Sequence, residues 1–139
     1  MDRLFLDANV LFSAAYREDA PLQRFWSYPA VELISSAYAV AEAERHLDAV
    51  QQIRLSKLLT TVRVVPNVPA SDLPEIKLLR GKDAPILAAA IAARAPHLVT
   101  GDRRDFGAYF GKRLGGVLVL PPRDYLGRRT ARRRRRSKR

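Results

Sequence analysis

The sequence predicts a doubly wound α/β domain, a three-layer α/β/α sandwich around a central parallel sheet of about five strands. Short apolar runs alternate with segments of helical character along nearly the whole chain. The runs are continuously apolar rather than alternating, the pattern of strands buried on both faces of a parallel sheet. Gly, Pro and small polar residues punctuate the joins, as turns require.

Each element has its own signal. Arg3-Leu4-Phe5-Leu6 is a short apolar run ending at Asp7 and predicts the first strand, with helical character from Ala8 to Tyr16. Pro21 suits a first helical turn and opens a segment through Trp26 that stops near Pro29. Val31 to Ile34 predicts a second strand, and Ser35 or Ser36 caps a helix running to about Val50. Another helix reaches Leu59, and Val62 to Val65 predicts a third strand. Three prolines make Pro66 to Pro74 a loop. Asp83-Ala84-Pro85 then starts a helix with Asp83 as its cap, and the run Ile86 to Ala95 has nothing polar but Arg94, so this helix is largely buried. His97 to Thr100 predicts a fourth strand, a short helix follows from about Arg104, and Val117 to Leu120 predicts a fifth strand between Gly115-Gly116 and Pro121-Pro122. There is no internal repeat.

Composition limits the function. A chain of 139 residues, 47% hydrophobic, can bury one core. It has no cysteine, which excludes a disulfide scaffold, a zinc ribbon and a thiol nucleophile, and fits a reducing cytoplasm. No apolar run has the length of a membrane span, and Met1-Asp2-Arg3 leads straight into the first strand without a signal-peptide core, so a cytoplasmic protein without a membrane partner is expected. The net charge of +11 is unevenly spread: Gly127 to Arg139 holds nine Lys or Arg and no acid, so residues 1–126 carry only +2. Residues 1–126 form the expected domain and residues 127–139 a disordered arginine-rich tail, which either solubilises the chain or contacts phosphates.

The acids fall where an α/β sheet builds its sites, at the carboxyl ends of strands. Asp7 directly follows the first strand, Asp102 follows the fourth across Thr100-Gly101, and Asp105 stands three residues further on. Asp83 opens the helix leading into the fourth strand, and Glu42 or Glu44 lies on the helix after the second. Taken singly, Asp83 reads as a helix cap, Asp102 as a turn residue and the glutamates as a solvated face. Converging on one sheet edge, carboxylates repel unless a cation neutralises them or their pKa values rise. Oxygen ligands without His or Cys select hard ions such as Mg2+ or Mn2+, and such ions suit phosphodiester hydrolysis.

Leu6-Asp7-Ala8-Asn9-Val10-Leu11-Phe12-Ser13 resembles the opening motif of PIN domains. Ser36 with Glu42, then Arg45 and Leu47, is similar to the family's second motif; Asp83 at the head of a small-residue helix matches the third; Val99-Thr100-Gly101-Asp102 with Asp105-Phe106 resembles the fourth. The match runs in order from Arg3 to about Leu126. It implies a PIN-like fold and a Mg2+- or Mn2+-dependent ribonuclease site with Asp7, Glu42, Asp83 and Asp102 as its acids and Asp105 as an auxiliary metal ligand. It also implies the toxin of a bacterial type II, VapBC-like toxin–antitoxin pair, with an antitoxin as partner and a second copy of the chain as a candidate one. Ala8 stands where the family commonly has Thr or Ser, and the arginine tail is outside the pattern. Residues two apart on a helix point roughly 200° apart, so Glu42 and Glu44 cannot both face the site. The apolar stripe Val40, Ala43, Leu47, Val50 lies nearer Glu44, whereas the family register selects Glu42, which we take.

The expected activity is therefore metal-assisted endoribonuclease cleavage of an RNA substrate. Asn9, Ser13 and Thr100 are candidates to orient the ligands, and Arg103, Arg104, Lys112 and Arg113 to meet the RNA backbone or to form a solvated basic face. Metal-free nucleophile schemes fail because there is no Cys and because His46 and His97 lack a Ser partner. No GxxxxGK or GxGxxG follows a strand, which argues against P-loop and Rossmann nucleotide binding. A non-catalytic RNA-binding module on the same fold is the alternative, but it would have lost acids that this chain keeps. A phosphotransfer receiver would want adjacent acids after the first strand, where Asp7 is followed by Ala8, and a phosphoacceptor after the third, where Pro66-Asn67 stands.

Overall fold

Asp7, Ser36 and Asp48 each end one segment and start a helix, and their side chains set where the helices begin. The computed structural model describes residues 2–68 and 83–137. Strand β1 (Asp2–Leu6) ends at Asp7, which caps α1 (Ala8–Ala15) by accepting from the Ala8 amide at 2.7 Å. A 3₁₀ segment, Pro21–Ser27, leads to β2 (Val31–Ser36). Ser36 then caps α2 (Ala37–Arg45), accepting from Ala39 N at 3.1 Å. The helix expected to reach Val50 stops at His46, because Asp48 and Gln51 form a reciprocal capping box that starts a new helix, α3 (Ala49–Leu59). After β3 (Val62–Val65), the loop expected to Pro74 lies outside the described residues beyond Val68. The chain continues as α4 (Asp83–Ala92), β4 (His97–Val99), α5 (Arg103–Phe106), a 3₁₀ turn at Gly107–Tyr109, β5 (Arg113–Leu114), β6 (Val117–Leu120) and α6 (Pro122–Ser137).

The sheet has the order β3-β2-β1-β4-β6-β5, and every pairing is parallel except that of β5 with β6. This confirms the α/β class with a central, mostly parallel sheet. It also adds a sixth, two-residue strand to the five expected. Gly115 and Gly116 do not merely precede a strand. With φ of +57° and +84° they make a tight hairpin turn that folds Leu114 back onto Val117. The order reverses direction between β1 and β4, whose registers join Leu6 to Val99. That reversal leaves a crevice at their carboxyl ends.

Leu4, Phe5 and Leu6 of β1 are fully buried at the centre of the core. Helix α4 packs on β2 and β4 through small residues, with Ala88, Ala89 and Ala90 all buried. Residues 127–137, expected as a disordered arm, are instead the continuation of α6. Pro122 opens that helix, and arginine has high helix propensity, so the basic run extends an element already anchored. The anchor is Tyr125, buried, whose hydroxyl donates to Asp2 Oδ2 at 2.7 Å and whose ring lies 5.8 Å from Phe25 and 5.5 Å from His97. Arg129 adds a cation–π contact, 4.5 Å over the Tyr28 ring. Among the described residues no helix is long and apolar enough to cross a membrane.

Candidate active site

The crevice between β1 and β4 is organised around a buried carboxylate. Asp7 is 5% exposed, and burying a carboxylate is costly unless its oxygens are bonded. Oδ1 accepts from Ala8 N at 2.7 Å; Oδ2 accepts from the Thr100 hydroxyl at 2.8 Å and from the Asn9 amide at 3.2 Å. Thr100, itself fully buried, is the hinge of this network, since its Oγ1 also accepts from Asp102 N at 3.1 Å and from Asn9 Nδ2 at 3.2 Å. Asn9 Oδ1 in turn accepts from Gly101 N at 2.8 Å. A Cβ on Gly101 would lie 3.3 Å from that amide oxygen, so glycine is what lets the turn approach so closely. Asn9 and Thr100 thus stand where ligand-orienting residues were expected. Ser13, one turn further along α1, is exposed and does not line the cleft.

A cleft of about 310 Å³ opens over Asp7 and is lined by Glu42 and Asp102 as well. Asp102 is half-buried and caps α5, accepting from Asp105 N at 3.1 Å. Glu42, with 16% side-chain exposure, pairs with Arg45 one turn on. Glu44 is exposed and absent from the cleft, so the register of α2 puts Glu42 there. The structure thus brings three of the four expected acids to one hollow from three separate elements. The fourth, Asp83, opens α4, and Ile86 three residues later lines the cleft, while the Asp83 side chain lies outside the described residues. Asp105 is exposed on α5 and does not line the cleft, because capping by Asp102 turns the chain away there.

The remaining walls were not read from the sequence. Phe12, Tyr38, His46 and Ile86, with Ala8 and Ala43, complete the lining alongside Asn9 and the acids. Their signal was there in part: Tyr38, Glu42 and His46 recur every four residues, which is one face of α2 extended through its C-cap. The expected basic contacts Arg103, Arg104, Lys112 and Arg113 are all exposed, and none lines this cleft. Arg103 and Arg104 follow Asp102 on α5, whereas Lys112 and Arg113 sit at the β5 hairpin on the sheet edge.

A family model described as the PIN domain matches residues 3–104, which spans β1 through the turn carrying Asp102. The chain belongs to the PIN-domain family. Solved structures similar to it in fold include toxin–antitoxin proteins. A chain of VapBC2 from Rickettsia felis, solved bound to a promoter DNA fragment, is 15% identical with a TM-score of 0.61, covering 86% of this chain and 98% of that one. A toxin–antitoxin complex from Klebsiella pneumoniae gives 21% identity and a TM-score of 0.58, covering 86% and 97%. VapC20 of Mycobacterium tuberculosis, described as a toxin that cleaves the sarcin–ricin loop, gives 19% and 0.54, covering 76% and 93%. No curated protein matches the sequence. At these identities the likeness establishes a shared fold. The acids of this PIN domain stand on its own geometry.

Proposed function

We propose that the chain is a divalent-metal-dependent endoribonuclease, acting in the cytoplasm as the toxin of a toxin–antitoxin pair. The observation that carries the reading is the convergence of Asp7, Glu42 and Asp102 on one cleft at the point where the sheet order reverses. Among the described residues no three acids or histidines are close enough to enclose an ion by themselves. The donors are oxygens throughout, which fits a hard ion. Asp7, Glu42 and Asp83 would hold one ion, directly or through its waters, and Asp102 would complete that site or hold a second. A bound ion would neutralise charge on the scissile phosphate and activate a water. The protein's own part is orientation: Thr100 and Asn9 fix the Asp7 carboxylate, and the Asp105 amide fixes Asp102. The toxin role draws on the VapBC-type neighbours, and it carries with it an antitoxin as partner.

The test is cleavage of RNA by purified protein with Mg2+ or Mn2+ and with the ions chelated. Asp102→Asn is the cleanest variant, because Asn caps a helix about as well as Asp. It should keep its melting temperature and lose cleavage by orders of magnitude. Glu42→Gln should do the same, while Glu44→Gln should cut at the wild-type rate. Metal-independent cleavage, or full activity in Asp102→Asn, would remove the assigned site. No cleavage under any condition, with RNA still bound, would favour a non-catalytic RNA-binding module.

A further inference from the structure

A second hollow, about 920 Å³ and thus three times the volume of the acid cleft, lies on the other side of the turn that carries Asp102. Asp102 lines the acid cleft, and its neighbours Gly101 and Arg103 line the second hollow, so the Gly101-Asp102-Arg103 turn is the ridge between the two. Three arginines line this groove, each from a different element: Arg24 from the 3₁₀ segment, Arg103 from α5 and Arg123 from α6. Arg17, Arg45 and Arg63 have carboxylate partners, whereas among the described residues no ion pair involves Arg24, Arg103 or Arg123. One acid, Asp124, also lines the groove and leaves it net positive. Phe110 contributes an aromatic wall.

We propose that this groove holds the phosphodiester backbone of the single-stranded RNA flank that extends from the acid cleft, with Arg24, Arg103 and Arg123 as its phosphate contacts. The proposal rests on the reading of the acid cleft as an RNA-cleaving site. Unpaired guanidinium groups converging from separate elements make a phosphate-binding surface, and guanidinium matches phosphate oxygens in bidentate fashion. An aromatic wall beside such a track is what sequence-tolerant binding of single strands uses, since every base has a face to stack. Contiguity with the cleft favours a nucleic-acid strand over an acidic peptide: a strand lying in the groove reaches the acids by crossing one turn. The groove also revises the basic contacts expected from sequence. Arg103 lines it, whereas Arg104, Lys112 and Arg113 do not.

The test compares full-length protein with the triple variant Arg24→Gln, Arg103→Gln, Arg123→Gln and with a charge-matched control, Arg17→Gln, Lys57→Gln, Arg63→Gln, placed elsewhere on the surface. Binding of a fluorescent single-stranded RNA oligonucleotide of mixed sequence is followed across salt concentrations with divalent ions chelated, so that nothing is cut. Each phosphate neutralised on a single strand adds roughly 0.7 to the slope of log affinity against log salt, so the groove variant should lose about 2 units of slope. Over a fourfold rise in salt the wild type should therefore lose about 15- to 20-fold more affinity than the groove variant. The control should stay close to the wild-type slope. An unchanged slope in the groove variant, or an equal loss in the control, would overturn the proposal. So would a poly-glutamate peptide that binds the groove as tightly as RNA and displaces it. Because binding is read without cleavage, a protein that cuts nothing yet loses this slope sinks the nuclease reading alone. A protein that cuts RNA but keeps its slope in the groove variant sinks the groove alone.

Discussion

Thr100 is the residue on which the acid cleft depends without being acidic. Its hydroxyl gives its single proton to Asp7 and accepts from the Asp102 amide and the Asn9 side chain, so one oxygen sets the positions of two acids. A hydrogen bond to a charged group is worth about 1.5–3 kcal/mol, and a buried partner left unmatched costs a similar amount. Thr100→Val should therefore lower stability by about 2 kcal/mol in denaturant unfolding. It should also reduce cleavage, and Thr100→Ser should restore both. Equal stability of the Val and Thr proteins would show that the network contributes nothing. From sequence alone Thr100 reads equally well as a strand-end residue bonding its own backbone. What decides its role is a bond across 93 positions of chain, which no local pattern announces.

At the scale of elements, the strands and the acids beside them were legible because buried parallel strands read as continuous apolar runs. Asp7 follows such a run directly and Asp102 follows one across Thr100-Gly101, and the structure puts both in one cleft. Less legible were features set by pairing or by neighbours. Helical periodicity pulled toward Glu44 because it scores burial, whereas an acid lining a cleft stands at the core's edge, where Glu42 is. The end of α2 was hidden by the capping of the next helix, and β5 by its length of two residues. The hairpin that makes β5 gives a test of its own. Both glycines have positive φ, but a Cβ on Gly115 would lie 2.6 Å from Ile91 Cδ1, while one on Gly116 would meet nothing within 4 Å. A non-glycine residue in the left-handed region costs on the order of 1–3 kcal/mol. Gly116→Ala should show that cost alone, and Gly115→Ala should exceed it by the displacement of Ile91. Equal unfolding free energies for the two variants would mean the hairpin does not press on α4 as described.

Over the whole molecule, charge and chemistry are separated. Nine basic residues and no acid lie between Gly127 and Arg139, mostly on α6, while the acids that line the cleft belong to β1, α2 and β4 with their turns. Deleting Gly127 to Arg139 removes nine of the eleven net positive charges and leaves the buried Tyr125 anchor in place. If four of these arginines engage phosphates, the salt dependence of RNA binding should flatten by about 3 units, with turnover at saturating RNA near that of the intact chain. Loss of turnover at saturation would show that this helix shapes the site, and an unchanged slope would leave it a solvated end.

The reversal between β1 and β4 has a consequence in time as well as in space. Asp7 is synthesised well before its partner Thr100, 93 positions later, and before the Gly101-Asp102 turn that follows it. A nascent chain lacking β4 holds the first acid with no second wall, and so no cleft. The cleft proposed to cut RNA is therefore complete only once β4 and the Gly101-Asp102 turn have been made.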